Sequence, residues 1–145
     1  MRLIRVFTFI LILIPTLTHA QIMFQNHYGG SGYEGSSSIL ELSDGGYLIA
    51  GSTSSYGAGG QDGYVIKINE SGDTVWTKTY GGSGNDQFNS IVKTLDNNYI
   101  IVGSTSSFGP NGSNMFVVKI DSIGDTIWQR AYGTIYDDGG ERVIS

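Results

Sequence analysis

The chain has 145 residues and a formal net charge of −5, with 22 glycines, two prolines and no cysteine. This length allows one ordinary domain, and an aromatic content of 12% beside only 14% charged residues excludes a disordered tail. The lack of cysteine excludes a disulfide framework, and glycine without a three-residue period indicates many tight turns rather than collagen.

The first twenty residues have the pattern of a cleavable export signal. Arg2 and Arg5 precede an apolar run over residues 6–14, and Pro15 ends that run. The run is about half of the roughly 20 residues that a membrane-spanning helix needs, so we expect cleavage after Ala20 and a secreted or cell-surface protein without a membrane span. A buried N-terminal strand is the alternative. Cleavage leaves six basic and thirteen acidic residues, which argues against nucleic-acid binding.

The rest of the chain repeats itself at an offset of 52 residues. The sequence Tyr-Gly-Gly-Ser-Gly starts at Tyr28 and again at Tyr80, and Tyr132 opens a third copy. The two full copies share 24 of 52 residues. We therefore divide the chain into a signal (1–20), an N-terminal lead (21–27), two repeats (28–79 and 80–131) and the start of a third repeat (132–145).

Each repeat predicts four antiparallel strands separated by turn signals rich in Gly, Asn and Asp. In the first repeat the strands are 38–42, 47–53, 63–69 and 74–80, and no stretch has helical periodicity. Four strands in about 50 residues is the unit of a β-propeller blade, with a sandwich and a parallel β-helix as alternatives. Because closed propellers carry about 4–8 blades, we expect an all-β, incomplete ring that is a fragment of a longer protein.

Two families share motifs with this chain. The phrases Asp-Gly-Gly-Tyr-Leu-Ile-Ala-Gly-Ser-Thr-Ser-Ser and Asp-Thr-Val-Trp resemble the tandem β-propeller repeats of secreted and cell-surface bacterial proteins, often ones that carry a type IX secretion sorting domain. The likeness covers residues 28–145 and implies a fold rather than a ligand. A weaker likeness to quinoprotein propellers, in which this turn is pinned and its Trp packs between blades, implies that structural role for Trp76 and Trp128. The recurring turn residues Gly72, Asp73, Gly124 and Asp125 are likewise expected to be structural.

Three motifs that suggest chemistry have a simpler structural explanation. Gly30–Gly35 matches the dinucleotide pattern GxGxxG, which needs a following helix, and none is predicted. The turns 69–73 and 121–125 place oxygen atoms close together but lack the twelve-residue loop of an EF-hand, which leaves weak calcium binding as the alternative. His27 has no partner for a zinc site. We therefore expect no catalytic residue, metal or cofactor in this chain.

The topology of an up-and-down blade predicts where a ligand would bind. The second loop of each repeat and the loop between repeats lie at the same end, and these are the long loops, 54–62 with 29–35 and 106–114 with 81–87. Ligands usually contact such loops, so we define this end as the loop rim and expect a glycan or a protein there. Its candidate residues are Tyr33, Glu34, Tyr56, Gln61, Asn85, Asp86 and Phe108. Packing between blades explains Tyr56 and Phe108 equally well.

Two functions from different classes fit this sequence. The first is a non-catalytic exported scaffold for binding, adhesion or interaction, in contact with neighbouring blades of the same protein. The alternative is the propeller part of a secreted enzyme, a quinone-dependent dehydrogenase or a carbohydrate-active hydrolase, with active residues outside this chain. The first is favoured because the copies differ mainly conservatively, whereas catalysis needs one set of residues in one place.

Overall fold

The computed structural model describes residues 25–144, so the predicted signal (1–20) lies outside the described residues. This part of the chain is all-β and forms two four-stranded antiparallel sheets, each with its strands in chain order. Sheet one contains β1 (Glu34–Glu41), β2 (Tyr47–Thr53), β3 (Asp62–Ile68) and β4 (Thr74–Tyr80), and sheet two contains β5 (Asp86–Lys93), β6 (Tyr99–Thr105), β7 (Asn114–Ile120) and β8 (Thr126–Tyr132). Between residues 25 and 144 no helix is long and apolar enough to cross a membrane.

The prediction of four antiparallel strands in each repeat is confirmed, and the bounds of β2 and β4 are those expected. The first strand is longer than predicted, because it begins at Glu34 rather than at residue 38. Gly35 and Ser36 pair with β2, and a bulge between Ser36 and Ser38 shifts the register. The same irregularity recurs in β5. Bulges of this kind bend and twist a strand, so both repeats start with a strand of the same shape.

The pairing of the first two strands requires the glycine of the recurring Gly-Ser-Thr sequence. A Cβ atom on Gly51 would lie 1.8 Å from the carbonyl oxygen of Gly35, and one on Gly103 would lie 1.9 Å from that of Gln87. Both neighbours are backbone atoms, which no rotamer change can move away. Only glycine allows so close an approach of two backbones.

The main core lies between the two sheets. Phe88, on β5, is fully buried there; its ring stacks on Phe116 at a centroid distance of 5.8 Å and lies 5.5 Å from Tyr80. Strand β5 contacts β1, β2 and β3, so the first strand of sheet two lies across sheet one. The buried members of this core are Leu42, Leu48, Ala50, Val65, Tyr80, Phe88, Ile91, Tyr99, Ile101, Phe116, Val118 and Ile120.

The other face of sheet one repeats the pattern of sheet two. A second apolar cluster there consists of Tyr28, Tyr47, Ile49, Tyr64, Ile66 and Ile68. At the offset of 52 residues these six positions correspond to Tyr80, Tyr99, Ile101, Phe116, Val118 and Ile120, which belong to the core between the sheets. Five of these positions lie on the second and third strands of each sheet, and the sixth, Tyr28 or Tyr80, comes from the segment just before the sheet.

At the end opposite the loop rim, a turn of sheet two contacts the last strand of sheet one. The Tyr80 hydroxyl donates to the carbonyl oxygen of Gly124 at 2.7 Å, and Lys78 pairs with Asp125 at 2.8 Å. Trp76 packs against the main core, and a Cβ on Gly124 would lie 3.0 Å from its indole. One repeat earlier, the Tyr28 hydroxyl donates to the carbonyl oxygen of Gly72 at 2.6 Å. This bond is the equivalent of the one between Tyr80 and Gly124.

The two acidic turns are held by their own side chains. The Asn69 side-chain oxygen accepts the backbone N–H of Asp73 at 2.8 Å, and the Asp121 carboxylate accepts that of Asp125 at 2.9 Å. Gly72 and Gly124 occupy the left-handed region in these turns, with φ of 82° and 84°. These contacts fit the prediction of turn chemistry at this end. Trp128 holds the equivalent position on sheet two and is half-buried.

Residues after Tyr132 form no regular strand in the described chain. They nevertheless lie along sheet two, because Gly140 N donates to the Gly103 carbonyl oxygen at 2.9 Å and the Asn89 amide donates to the Gly140 carbonyl oxygen at 2.9 Å. The start of the third repeat thus lies beside the first two strands of sheet two.

Candidate ligand-binding site

The long loops lie at the same end of each sheet, as the topology predicts, and hydrogen bonds tie them together. Gly32 N donates to the Ser55 hydroxyl at 2.7 Å, and Tyr33 N donates to the Ser54 hydroxyl at 2.8 Å. The second repeat has the equivalent bonds from Gly84 to Ser107 and from Asn85 to Ser106, at 2.9 and 2.7 Å. These bonds explain why the Gly-Gly-Ser-Gly and Ser-Thr-Ser-Ser motifs recur together.

The same loops also join one repeat to the next. Asp86 N donates to the Gln61 carbonyl oxygen at 2.6 Å, and Gln61 N donates to the Asn85 side-chain oxygen at 3.0 Å. The next junction repeats both bonds, since Asp138 N donates to the Ser113 carbonyl oxygen at 2.6 Å and Ser113 N donates to the Asp137 carboxylate at 2.9 Å. The loop rim is therefore a continuous hydrogen-bonded band that fixes the positions of its side chains.

A cavity of about 590 Å³ lies in this rim, between the two junctions. Three of the predicted rim residues line it: Gln61, Asn85 and Asp86. Its other polar side chains are Gln87, Ser104, Ser106, Asn111, Ser113 and Asp137, and Pro110 is its one bulky apolar member. We call this space the rim cavity.

The other four predicted rim residues lie elsewhere. Tyr56 packs on Tyr64 with ring centroids 6.0 Å apart, and Phe108 packs on Phe116 at 5.6 Å. Both aromatic rings therefore pack against an aromatic side chain of their own sheet. Tyr33 and Glu34 lie at the loop end of sheet one, next to Tyr28–Gly30.

Glu34 and Asp86 occupy equivalent positions and accept equivalent bonds from a loop glycine N–H and a loop serine, but they differ in one contact. The Glu34 carboxylate accepts the Thr53 hydroxyl at 2.9 Å. A hydrogen bond from the Ser55 hydroxyl lowers the pKa of Glu34, and the bond from Thr53 acts in the same direction. Asp86 accepts Gly82 N and the Ser107 hydroxyl on Oδ2, whereas its buried Oδ1 has no hydrogen-bond partner. The aspartate side chain is one methylene shorter, which explains why the contact with a strand threonine is missing.

Two buried carboxylates meet at the junction between the sheets. Asp62, at the start of β3, is 2% exposed and Asp86 is 1% exposed. Both converge on Gly81, where a Cβ would lie 2.3 Å from Asp86 Oδ2 and 2.5 Å from Asp62 Oδ1. Burial raises the pKa of Asp62, and the nearby charge of Asp86 raises it further. This junction therefore concentrates negative charge inside the protein.

The corresponding position at the next junction is an amide, and the loop before it explains why. Asp62 accepts the backbone N–H of Ala58 at 2.9 Å. The residue equivalent to Ala58 is Pro110, which has no N–H to donate. Asn114 replaces the aspartate, and its amide group donates to the Pro110 carbonyl oxygen at 2.9 Å. The two loops thus use opposite hydrogen-bond polarity, and their backbones also differ, since Gly59 has a φ of 122° in the first loop whereas Gly112 has a φ of 98° in the second.

The rim cavity belongs to the second repeat and not to the first. In sheet one the phenol of Tyr33 lies over Gly35, where a Cβ would come within 3.0 Å of the Tyr33 hydroxyl oxygen. The second repeat has Asn85 and Gln87 at these two positions, and both side chains line the cavity. A small amide thus stands where the first repeat has an aromatic ring, so the repeats differ at the loop rim although their cores match.

Sequence reasoning did not name six polar side chains of this cavity: Gln87, Ser104, Ser106, Asn111, Ser113 and Asp137. A usable signal exists, because Gln87 and Asn111 replace Gly35 and Gly59 of the first repeat. The chemistry of the lining is that of amides, hydroxyls and carboxylates, which bind and orient a ligand. In residues 25–144 no group of three or more His, Cys, Asp or Glu side chains is arranged to hold a metal ion. Comparison of the chain with known protein families and with curated protein sequences finds no match.

Proposed function

We propose that the two sheets are successive blades of a β-propeller in an exported protein, and that this segment is a non-catalytic scaffold that binds a polar ligand in the rim cavity. In a propeller each blade packs on its neighbour in the same way. The recurring apolar positions support this arrangement, because sheet two uses five of them, Tyr99, Ile101, Phe116, Val118 and Ile120, to pack on sheet one. Residues 140–144, which lie beside β5, extend the same order to a third repeat.

The observation that carries the binding proposal is the difference between the repeats at the rim. The bonds between neighbouring loops are the same at both junctions, but the side chains that the loops present differ. The second repeat has Gln87 and Asn111 in place of two glycines, and Asn85 in place of Tyr33. These polar side chains line a cavity whose volume of about 590 Å³ lies in the range of small-molecule sites.

The binding proposal is tested by nuclear magnetic resonance of the isotope-labelled chain against libraries of polar small molecules, oligosaccharides and peptides. We expect chemical-shift changes confined to the loop rim of sheet two, including the amide groups of Gln87 and Asn111. The matched control is the variant Asn98→Gly, which should bind as the unchanged chain does. Asn98 lies in a turn at the opposite end of the sheet, and the first repeat has a glycine, Gly46, at the equivalent position. Shifts centred on that opposite end, or no shifts with any ligand class, would refute the proposal.

The export proposal has a separate test. When the whole chain is produced in a bacterial host, we expect mass spectrometry of the material outside the cytoplasm to find an N-terminus at Gln21. Replacement of Leu11 and Leu13 by arginine breaks the apolar run and should retain the chain in the cytoplasm. An intact N-terminus on all of the protein, wherever it is found, would contradict cleavage after Ala20.

A further inference from the structure

We propose that the ligand of the rim cavity is the end of a glycan that carries no negative charge, either a neutral sugar or an amino sugar. This inference rests on the proposed binding function and narrows it to one chemical class. Three properties of the cavity support it: its charge, the hydrogen-bonding groups that it leaves available, and its size and lining.

The charge of the cavity disfavours anionic ligands. Asp137 presents an exposed carboxylate there, Asp86 lies almost fully buried behind the wall, and none of the residues that line the cavity is Lys, Arg or His. Lys67, Lys78 and Lys119 form ion pairs with Asp side chains of the turns at the opposite end of the sheets. A sulfate, phosphate, uronate or sialic acid would therefore meet carboxylates without a compensating cation, and like charges at close range repel.

The available hydrogen-bonding groups match hydroxyls. An amide side chain offers both donors and acceptors, as a sugar hydroxyl does. Asn85 uses its oxygen for Gln61 N, which leaves its NH₂ group as a donor, and Asp137 uses Oδ1 for Ser113 N, which leaves Oδ2 as an acceptor. Gln87 and Asn111 are exposed on the wall of the cavity. A ligand with hydroxyls at neighbouring positions can satisfy these donors and acceptors together.

The size and lining of the cavity suit a polar ring rather than a long apolar chain, because Pro110 is its one bulky apolar residue. The loop 109–113 forms one wall, in which Gly109, Pro110 and Gly112 present backbone and a small apolar surface. No aromatic side chain lines the cavity, so hydrogen bonds must supply most of the selectivity. Recognition of this kind is weak at a single site, and repeated ligand ends on one surface raise it by multivalency.

The test uses the whole chain and three variants taken from its own repeats. Gln87→Gly and Asn111→Gly introduce the residues of the first repeat (Gly35 and Gly59), and Asp137→Asn introduces the equivalent of Asn85. Each variant residue already occurs at the corresponding place in a folded repeat, so we expect unchanged far-ultraviolet circular dichroism and melting. Asn98→Gly again serves as the control.

Binding is measured on a glycan array with neutral, amino-bearing, sialylated and sulfated members, followed by titration calorimetry with the best binder and with a lysine-rich peptide. We expect neutral or amino sugars to bind. Gln87→Gly and Asn111→Gly should each weaken binding about fivefold, as the loss of one hydrogen bond of about 1 kcal/mol predicts, and Asp137→Asn should weaken an amino sugar more than a neutral one. The control should stay within about twofold of the unchanged chain.

The outcomes separate the two proposals. Preferential binding of sialylated or sulfated glycans, or binding of the peptide and of no glycan, with loss on Gln87→Gly, would overturn the ligand class while leaving the cavity as a binding site. Glycan binding that none of the three variants weakens would place the ligand elsewhere and overturn the inference. If none of these ligands binds and the broader libraries also give no shifts, the binding function itself fails.

Discussion

Replacement of Asp62 by asparagine tests whether the pair of buried carboxylates between the sheets destabilises the protein. Asp62 and Asp86 are both almost fully buried and carry like charges at the same junction. The equivalent of Asp62 in the second repeat is Asn114, so the fold already accommodates an amide at this point. The new side-chain oxygen can still accept the hydrogen bond from Ala58 N. The change therefore removes a charge and little else.

The expected effect depends on pH in a defined direction. Because the pKa of Asp62 is raised in the folded state, the folded chain holds this proton more tightly than the unfolded chain, whose value is near 3.8. The stability contributed by the protonated carboxyl is complete below that value and is lost as the pH rises through the folded pKa. A buried group with incomplete compensation costs about 1–3 kcal/mol. We expect Asp62→Asn to raise the free energy of unfolding by about this amount at pH 7, and by little near pH 3.5.

Urea denaturation followed by circular dichroism at pH 3.5, 5 and 7 measures this difference. Asp73→Asn is the matched control, because Asp73 is an exposed aspartate in a turn, and its replacement should change stability by less than about 0.5 kcal/mol. If Asp62→Asn is less stable than the unchanged chain at pH 7, or if the difference between the two is the same at every pH, the reasoning about the carboxylate pair is wrong.

Three further predictions concern the core and the turns. Tyr80→Phe removes the hydroxyl that donates to Gly124 and should lower the free energy of unfolding by about 1 kcal/mol in urea titrations; an unchanged midpoint would show that this bond contributes nothing. Phe88→Ala removes a fully buried ring and should cost about 3–5 kcal/mol, so a loss below about 1 kcal/mol would contradict the assigned core. The hydrogen bond from Lys119 lowers the pKa of Asp96, so the stability from this pair is present above the unfolded value of 3.8 and is lost as the pH falls through the lower folded value. Asp96→Asn should therefore flatten the loss of melting temperature in acid, and an unchanged acid profile would argue against the pair.

The strands were predictable from the sequence where local signals and pairing agree. β2 and β4 are apolar or β-branched runs bounded by Gly, Asn and Asp, so their ends follow from turn chemistry. The start of β1 was not predictable in this way. Glu34, Gly35 and Ser36 are poor strand formers, and they become a strand only because β2 supplies their backbone partners.

The candidate site was predictable in its location but not in its membership. Chain topology alone places the long loops at one end, and hydrogen bonds between Ser54 or Ser55 and the preceding loop confirm that placement. Which side chains share a cavity depends on one ring, since Tyr33 lies over Gly35 and no comparable group covers Gln87. The spacing of residues in the sequence does not show where a side chain as large as that of Tyr33 lies.

The opposite hydrogen-bond polarity of the two long loops limits how the repeats can be recombined. Ala58 with Asp62 and Pro110 with Asn114 are each self-consistent. A hybrid with a proline at position 58 and Asp62 unchanged would bury a carboxylate oxygen that has lost its hydrogen-bond donor, the backbone N–H of residue 58. A gene-shuffling or blade-grafting breakpoint that joins the proline of the second loop to the aspartate of the first would create such a hybrid, whereas breakpoints in the turns at the opposite end would keep each loop with its own partner residue.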